Sequence, residues 1–207
     1  MQIGPQDVTM IGQQLDHPES LCIAADGTIY CGGEMGQVYR IRPDGEQSLL
    51  GQTGGFLLGL ALDGEERVHA CDMGRKAVVC VDAAGRVRER SRGIPQRRLV
   101  VPNHPVFDPQ GNLYFSDSGD YWNPQGTGCI FVVRPDDTTE LFHGGPFAFA
   151  NGLVIDPTGR WLYLAQTTAH NIVRVPVDQP NGEVTVAYSL PAHVFRMGWR
   201  LPRMVNC

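Results

Sequence analysis

The chain has no apolar run near the roughly 18 residues that a membrane-spanning helix needs. Its first twenty residues also lack the basic start and the apolar stretch of a secretory signal peptide. The net charge is −5, and most of the 17 basic residues are scattered singly, so no positive stripe is available for a phosphate backbone. We therefore expect a cytoplasmic protein that binds neither membranes nor nucleic acid.

Two common kinds of site are also missing from the sequence. None of the six cysteines forms a C-x-x-C pair, and five of them lie in apolar, strand-like segments, which predicts reduced thiols in a core. No G-x-S-x-G motif is present, which argues against covalent serine catalysis. The one locally basic stretch, residues 88–98, is predicted to be a solvated loop.

Helical periodicity is absent, and a β repeat takes its place. With 207 residues and 42% hydrophobic side chains, the chain is long enough for one domain with a core. The sequence contains four copies of a repeated segment, which we call cassettes. Each cassette has two strand-like segments around a turn and is followed by a second strand pair. The aromatic or histidine rings of successive cassettes are 39, 45 and 49 residues apart. This pattern predicts an all-β propeller with about four blades of four antiparallel strands. The rings are Tyr30, His69, Tyr114 and Tyr163.

One position of the repeat carries oxygen atoms in three cassettes of four. This slot lies at the entry to the innermost strand of each blade, so its side chains should converge at one mouth of the central channel. A carboxylate and two amide carbonyls suit a hard cation such as Ca²⁺ and do not suit a zinc site of Cys and His. The alternative is that each Asn only forms a local turn. The slot residues are Glu19, Leu58, Asn103 and Asn151.

The segments HPES, VPNHPVFDPQGNLYFSD and ANGLVIDPTGRWLYLA carry a family resemblance that runs from about Leu15 to Leu190. At these residues the chain resembles the regucalcin and gluconolactonase family, which consists of calcium-dependent, six-bladed propellers that hydrolyse lactones. The resemblance implies that Glu19 and Asn151 bind the metal and that Asn103 contacts substrate or metal. It implies Ca²⁺, with Mn²⁺ and Zn²⁺ as alternatives, and a small-molecule lactone as substrate. Some members carry an arginine that would grip a sugar lactone where this chain has Val101.

The resemblance also implies one more metal ligand, an Asp that serves as general base, and the sequence lacks it. The ending HVFRMGWRLPRMVNC breaks the repeat. If the nucleotides are read from the third base of the Val194 codon, the new frame permits an Asp and forces Gly and Leu eight and ten codons later. The same offsets separate Asn103 from Gly111 and Leu113.

These offsets predict a frameshift near residue 194 that removes the Asp and the last blades. The predicted organisation is a partial propeller over residues 1–193 and an out-of-frame tail over 194–207, with a genuine divergent tail as the alternative. The segment VTMIGQQL, a candidate closing strand, would then have no blade to join. We expect the chain to be prone to aggregation and its lactonase activity to be impaired or lost.

Other candidates near the predicted mouth are weaker. Asp120 is predicted to contact substrate, although turn formation also explains it and Asp117. His17 and His104 flank two slots, and structural roles are favoured for both. The sequence leaves two other functions open, a propeller that binds a ligand or protein without chemistry and a metal-independent, strictosidine-synthase-like propeller.

Overall fold

The computed structural model describes residues 4–123 and 126–191, and these residues form four antiparallel sheets of four strands each. Within each sheet the strands follow one another in chain order, as in the blades of a propeller, so the predicted all-β propeller is confirmed.

A short 3₁₀ turn over Pro5–Asp7 precedes the first sheet. Blade 1 comprises β1 (Leu21–Ile23), β2 (Ile29–Gly32), β3 (Gln37–Ile41) and β4 (Gln47–Gln52); blade 2 comprises β5 (Leu57–Leu62), β6 (Val68–Asp72), β7 (Ala77–Val81) and β8 (Val87–Ser91); a hairpin of β9 (Gly93–Ile94) and β10 (Arg97–Arg98) follows; blade 3 comprises β11 (Pro102–Phe107), β12 (Leu113–Asp117), β13 (Gly128–Val133) and β14 (Thr139–Phe147); blade 4 comprises β15 (Ala150–Ile155), β16 (Trp161–Gln166), β17 (Asn171–Pro176) and β18 (Thr185–Ser189).

The repeated aspartate of the cassettes forms the turn between the first two strands of each blade. In blade 3, Oδ1 of Asp108 accepts hydrogen bonds from the backbone N–H groups of Gln110 (2.9 Å) and Asn112 (2.8 Å). Gly111 adopts the left-handed conformation in this turn, with φ of +83°. Equivalent aspartates in the other blades accept backbone N–H groups in the same way, which explains why an aspartate recurs at this position of each cassette.

The hydrophobic core lies between neighbouring blades. Three clusters of buried side chains fill the spaces between blades 1 and 2, blades 2 and 3, and blades 3 and 4. Strand β7 shows how one strand serves two clusters, because Val79 and Val81 pack toward blade 1 whereas Val78 packs toward blade 3. The strands of the middle blades therefore read as continuous apolar runs such as AVVCV.

The cysteines of the described residues are all free, as predicted, and four of the five are buried. Burial raises the pKa of Cys22 and of Cys129 to about 12, and it raises the pKa of Cys71 well above its ordinary value. These thiols remain protonated at neutral pH, which fits a packing role rather than a reactive one.

The basic stretch over residues 88–98 is not the solvated loop that the sequence predicted. It contains the end of β8 and the hairpin β9–β10. The side chain of Arg90 is 6% exposed and faces the carboxylate of Asp137 in blade 3. Arg97 donates to the backbone carbonyls of Gly144 (2.9 Å) and Thr127 (2.6 Å). The prediction was wrong because these guanidinium groups have acceptors on the neighbouring blade.

The candidate closing segment over residues 8–15 forms no strand. It is held to blade 1 by a reciprocal pair of bonds, in which the Gln13 N–H donates to Gln47 Oε1 and Gln47 Nε2 donates to the Gln13 carbonyl, both at 3.0 Å. Strands β1 and β18 expose apolar side chains such as Leu21 (57%) and Tyr188 (60%). The predicted out-of-frame tail over residues 194–207 lies outside the described residues.

Of the residues that the structure describes, none belongs to a helix with the length and apolar character to cross a membrane. The cytoplasmic location, the absence of nucleic-acid partners and the two-part organisation of the chain stay predictions.

Candidate metal and substrate site

The innermost strands of blades 2, 3 and 4 each contain a β-bulge, and the predicted slot lies inside it. Leu58, Asn103 and Asn151 are the second residues of these irregular stretches, where the pairing with the next strand is interrupted. A bulge turns a side chain out of the regular alternation of the strand, so the slot residue need not pack between blades. In blade 1 the slot residue Glu19 precedes β1. The interrupted stretches run between Leu57 and Leu60, Pro102 and Pro105, and Ala150 and Leu153.

All four slot residues line a single cavity of about 890 Å³. Glu19, Asn103 and Asn151 thus come from three different blades to one concave surface, as the repeat register predicted. Leu58 from blade 2 completes the set. A cavity with a few convergent polar groups is the usual form of a small-molecule site.

The two slot asparagines are held by hydroxyl groups at the ends of neighbouring strands. Asn103 is buried, and its Nδ2 donates to Ser118 Oγ at 2.9 Å. Asn151 is also buried, and its Nδ2 donates to Thr167 Oγ1 at 3.0 Å. Among the hydrogen bonds of the described residues, none involves Oδ1 of either asparagine. Each amide is therefore oriented with its nitrogen engaged and its carbonyl oxygen available to a ligand.

Ser118 links this site to the next blade, because its Oγ also donates to the Ala150 carbonyl at 2.7 Å. We expect Ser118→Ala to lower the free energy of unfolding by about 2 kcal/mol, since it leaves a buried carbonyl and the Asn103 amide without partners. Urea unfolding measures this change. Ser189→Ala on exposed strand β18 is the matched control and should change stability little. Equal effects of the two substitutions would contradict the assigned role of Ser118.

In blades 2, 3 and 4, a polar side chain at the end of the second strand anchors the segment that leads into the slot. Asp117 is 2% exposed and accepts the backbone N–H groups of Val100 (2.7 Å), Val101 (3.1 Å) and Gly119 (2.8 Å). At the equivalent positions, Asp72 accepts from Phe56, and Gln166 accepts from Ala148. This role was not predicted from the sequence, although three cassettes end in the polar residue concerned, in HACD, YFSD and YLAQ.

Asp120, predicted to contact substrate, is not among the residues that line the cavity. Its Oδ1 accepts the Trp122 N–H at 3.0 Å, and its own N–H donates to Thr127 Oγ1 at 2.6 Å. The carboxylate thus stabilises the turn, as the alternative interpretation expected. A substrate contact by Asp120 stays a prediction.

The two histidines that flank slots have different environments. His104 lines the cavity, and burial lowers its pKa to about 4, so the ring is neutral at pH 7. His17 is exposed and lies beside Asp16 and Glu34, and the ligand atoms of these three residues are within 4.8 Å of one another. The hydrogen bond from His17 is the main cause that lowers the pKa of Asp16. This exposed group could hold a metal ion, and it lies outside the cavity.

Comparison with solved structures identifies relatives of the fold. A gluconolactonase from Xanthomonas campestris is 22% identical with a TM-score of 0.76, and the match covers 89% of this chain and 66% of that protein. A structure of a nidogen/laminin complex is 20% identical with a TM-score of 0.73, covering 88% of this chain and 68% of the other. A virginiamycin B lyase from Staphylococcus aureus is 13% identical with a TM-score of 0.66, covering 85% and 56%. At these identities the likeness establishes the propeller fold alone.

The chain spans about two thirds or less of the length of two of these structures. No curated protein sequence matches it significantly. Residues 38–195 match the sequence profile described as the SMP-30/Gluconolactonase/LRE-like region, and this match covers Asn103 and Asn151 together with three of the four blades and part of the first. The chain therefore belongs to the SMP-30/gluconolactonase/LRE-like family.

Proposed function

We propose that this protein is built as a metal-dependent hydrolase of a lactone, with Glu19, Asn103 and Asn151 as the described part of its metal and substrate site. The observation that carries the proposal is that these three oxygen-bearing residues, one from each of three blades, line the same cavity. The family membership and the fold shared with a gluconolactonase support the same chemistry.

The donor set fits a divalent cation, and it fits Ca²⁺ best. Glu19 supplies a carboxylate, and the two asparagines supply their side-chain carbonyl oxygens. The amide nitrogen of each asparagine already donates a hydrogen bond to a hydroxyl group. Hard oxygen donors of this kind suit Ca²⁺, which takes six to eight oxygens including waters, and the slots offer no Cys or His for zinc. Mn²⁺ and Zn²⁺ are the alternatives to test.

When bound, such a cation supplies a Lewis acid that polarises the carbonyl group of a lactone. The residues of the chain have separate tasks around it. Glu19 contributes the negative charge that attracts a cation to the mouth of the cavity. Asn103, fixed by Ser118, presents an oxygen that orients either substrate or an attacking water. The general base would be the Asp that the family resemblance implies and that the sequence lacks, so we expect the chain as written to have little or no turnover.

Glu19→Gln is expected to weaken Ca²⁺ binding at least about tenfold, because it removes the only carboxylate among the described slot residues. Isothermal titration calorimetry with CaCl₂ measures the affinity directly. Binding to the folded state should also raise the melting temperature of the unsubstituted chain, and this shift should be smaller in the variant.

Glu34→Gln is the matched control, because Glu34 belongs to the exposed group with Asp16 and His17 outside the cavity. It should leave Ca²⁺ affinity unchanged. If Glu34→Gln weakened binding and Glu19→Gln did not, the ion would bind at the exposed group and the proposed site would be wrong.

Measurements of turnover distinguish the proposed hydrolase from the two other functions that the sequence leaves open. Lactone hydrolysis followed by pH-stat should require a divalent cation, stop on chelation and return with Ca²⁺. A version of the chain in the restored reading frame should hydrolyse faster than the chain as written. Ligand binding without turnover in the restored version would favour a non-catalytic propeller, and metal-independent turnover would favour a strictosidine-synthase-like one.

A further inference from the structure

The cavity has an apolar wall beside the oxygen-bearing slots. We define this wall as Leu58, Met73, Val101 and Phe149, all of which line the cavity. Val101 and Phe149 occupy equivalent places, each two residues before the slot asparagine of its blade, so they stand next to the proposed metal donors. Leu58 occupies the slot of blade 2 itself. A ligand bound through Asn103 and Asn151 would therefore meet hydrocarbon at its flank.

Phe149 is held in a strained position in this wall. Its φ is +55°, a left-handed conformation that bulky residues rarely adopt. The strain is imposed from both sides, because the Ala148 N–H donates to Gln166 Oε1 at 2.7 Å and the Thr167 N–H donates to the Phe149 carbonyl at 3.2 Å. Strained residues of this kind concentrate at ligand sites, where the surrounding structure fixes them.

An aromatic row extends the wall toward solvent. The ring of Tyr121 packs edge to face on Phe149 with centroids 5.2 Å apart, and Trp122 packs on Tyr121 at 5.0 Å. Trp122 is 86% exposed, so the row leads from the cavity to the surface. Aromatic rings at such a rim give a large, rigid apolar surface to a ligand substituent.

The charges and polar groups of the cavity point to the same type of ligand. Glu19 is the only acidic residue among its described lining residues, and no Lys or Arg is present. A polyhydroxylated ring would need a partner for each hydroxyl group that it buries, and the apolar wall offers none. A hydrocarbon substituent gains free energy when the same wall removes it from water.

From this wall we infer that the site selects lactones that carry an alkyl or aromatic substituent over polyhydroxylated sugar lactones. That the ligand is a lactone rests on the proposed function, because the wall itself selects only an apolar substituent next to the oxygen-bearing slots.

The test compares three δ-lactones with the same six-membered ring: δ-valerolactone, δ-nonalactone and glucono-δ-lactone. Ligand-detected NMR in CaCl₂ measures binding to the full chain, and pH-stat measures hydrolysis. Each buried methylene should strengthen binding by up to about fourfold, so δ-nonalactone should bind best and glucono-δ-lactone worst. Equal or tighter binding of glucono-δ-lactone would overturn the inference.

Substitutions in the wall give a second, independent measurement. Phe149→Ala should weaken δ-nonalactone binding about tenfold and leave δ-valerolactone nearly unchanged. Phe149→Asn should do the same, and it keeps a residue that tolerates the left-handed conformation, which separates loss of the wall from misfolding. The control is Tyr188→Ala, which removes an exposed aromatic ring from β18, outside the cavity lining. Unchanged δ-nonalactone affinity in Phe149→Asn would overturn the inference.

The outcomes distinguish this inference from the proposed function. If binding strengthens with chain length but no lactone is hydrolysed even in the restored reading frame, the wall is supported and the hydrolase is not. If lactones are hydrolysed with a preference for glucono-δ-lactone, the hydrolase is supported and the selectivity of the wall is wrong.

Discussion

Asp117→Ala is expected to lower the free energy of unfolding by about 4 kcal/mol, the largest effect of a single substitution that we predict near the site. The carboxylate is almost fully buried and accepts three backbone N–H groups, those of Val100, Val101 and Gly119. Alanine would leave all three donors without the carboxylate that they now bond, and each lost bond would cost about 1 to 3 kcal/mol. Urea unfolding monitored by fluorescence measures the loss.

The neighbouring Asp120 provides the control for this experiment. It is exposed, and its side chain accepts one backbone N–H, from Trp122, so Asp120→Ala should cost less than about 1 kcal/mol. Asp117→Asn, which keeps one acceptor oxygen, should fall between the two. If Asp117→Ala and Asp120→Ala destabilised the protein equally, the anchoring role of Asp117 would be refuted.

Acid is expected to weaken the fold through His69, with a loss of about 2 kcal/mol between pH 7 and pH 4.5. The side chain of His69 is fully buried between blades 2 and 3, where its Nε2 lies 2.9 Å from Asp63 Oδ2 and its ring packs edge to face on Phe107. Burial lowers the pKa of His69 to about 4, the hydrogen bond with Asp63 opposes this shift, and the positive charges of Arg90 and Arg67 add to it. The native state therefore holds a neutral imidazole.

The direction of the pH dependence follows from this shift. The unfolded chain takes up a proton on His69 near the ordinary pKa of 6.5, whereas the folded chain does so only near 4. Between these values the unfolded state binds more protons, so stability is complete above pH 6.5 and is lost as the pH falls toward 4. For Asp63, burial raises the pKa, but the hydrogen bonds from His69 and Arg67 outweigh it and hold the pKa at about 2. Its contribution is lost only below about pH 4.

His69→Tyr tests this prediction with a residue that the repeat itself supplies, because the other three cassettes carry tyrosine at the equivalent position. The variant has no group at position 69 that titrates between pH 4 and 7. We measure the free energy of unfolding in urea at pH 7 and at pH 4.5. The loss between these two pH values should be about 2 kcal/mol smaller in the variant than in the unsubstituted chain. The same pH slope in both proteins would show that other groups cause the acid sensitivity.

The blades and the slot positions could be predicted from the sequence because a repeat converts spacing into geometry. Once Tyr30 and Tyr114 are aligned, residues at equal offsets must occupy equivalent places in successive blades. Glu19 and Asn103 could therefore be placed at one cavity without any knowledge of their contacts.

Contacts that occur only once could not be predicted in this way. Arg97 donates hydrogen bonds to the backbone carbonyls of Thr127 and Gly144. Every residue has a backbone carbonyl, so the sequence does not show which of them will accept such a bond. The apolar wall was missed for a related reason. Val101 was noted as a departure from the family pattern, but Phe149 comes to the cavity through a left-handed turn that no sequence period encodes.

Because of the bulges in the innermost strands, the residues that recognise a ligand at the mouth are different from the residues that pack between blades. Leu58, Asn103 and Asn151 are released from the alternation that fills the space between blades, so these positions can change chemistry without repacking a core. Leu58 offers the simplest exchange, because an amide or a carboxylate there would add another oxygen to the existing three. Evolution can thus gain, lose or retune an ion site on this scaffold by single substitutions, while the frame that displays them stays the same.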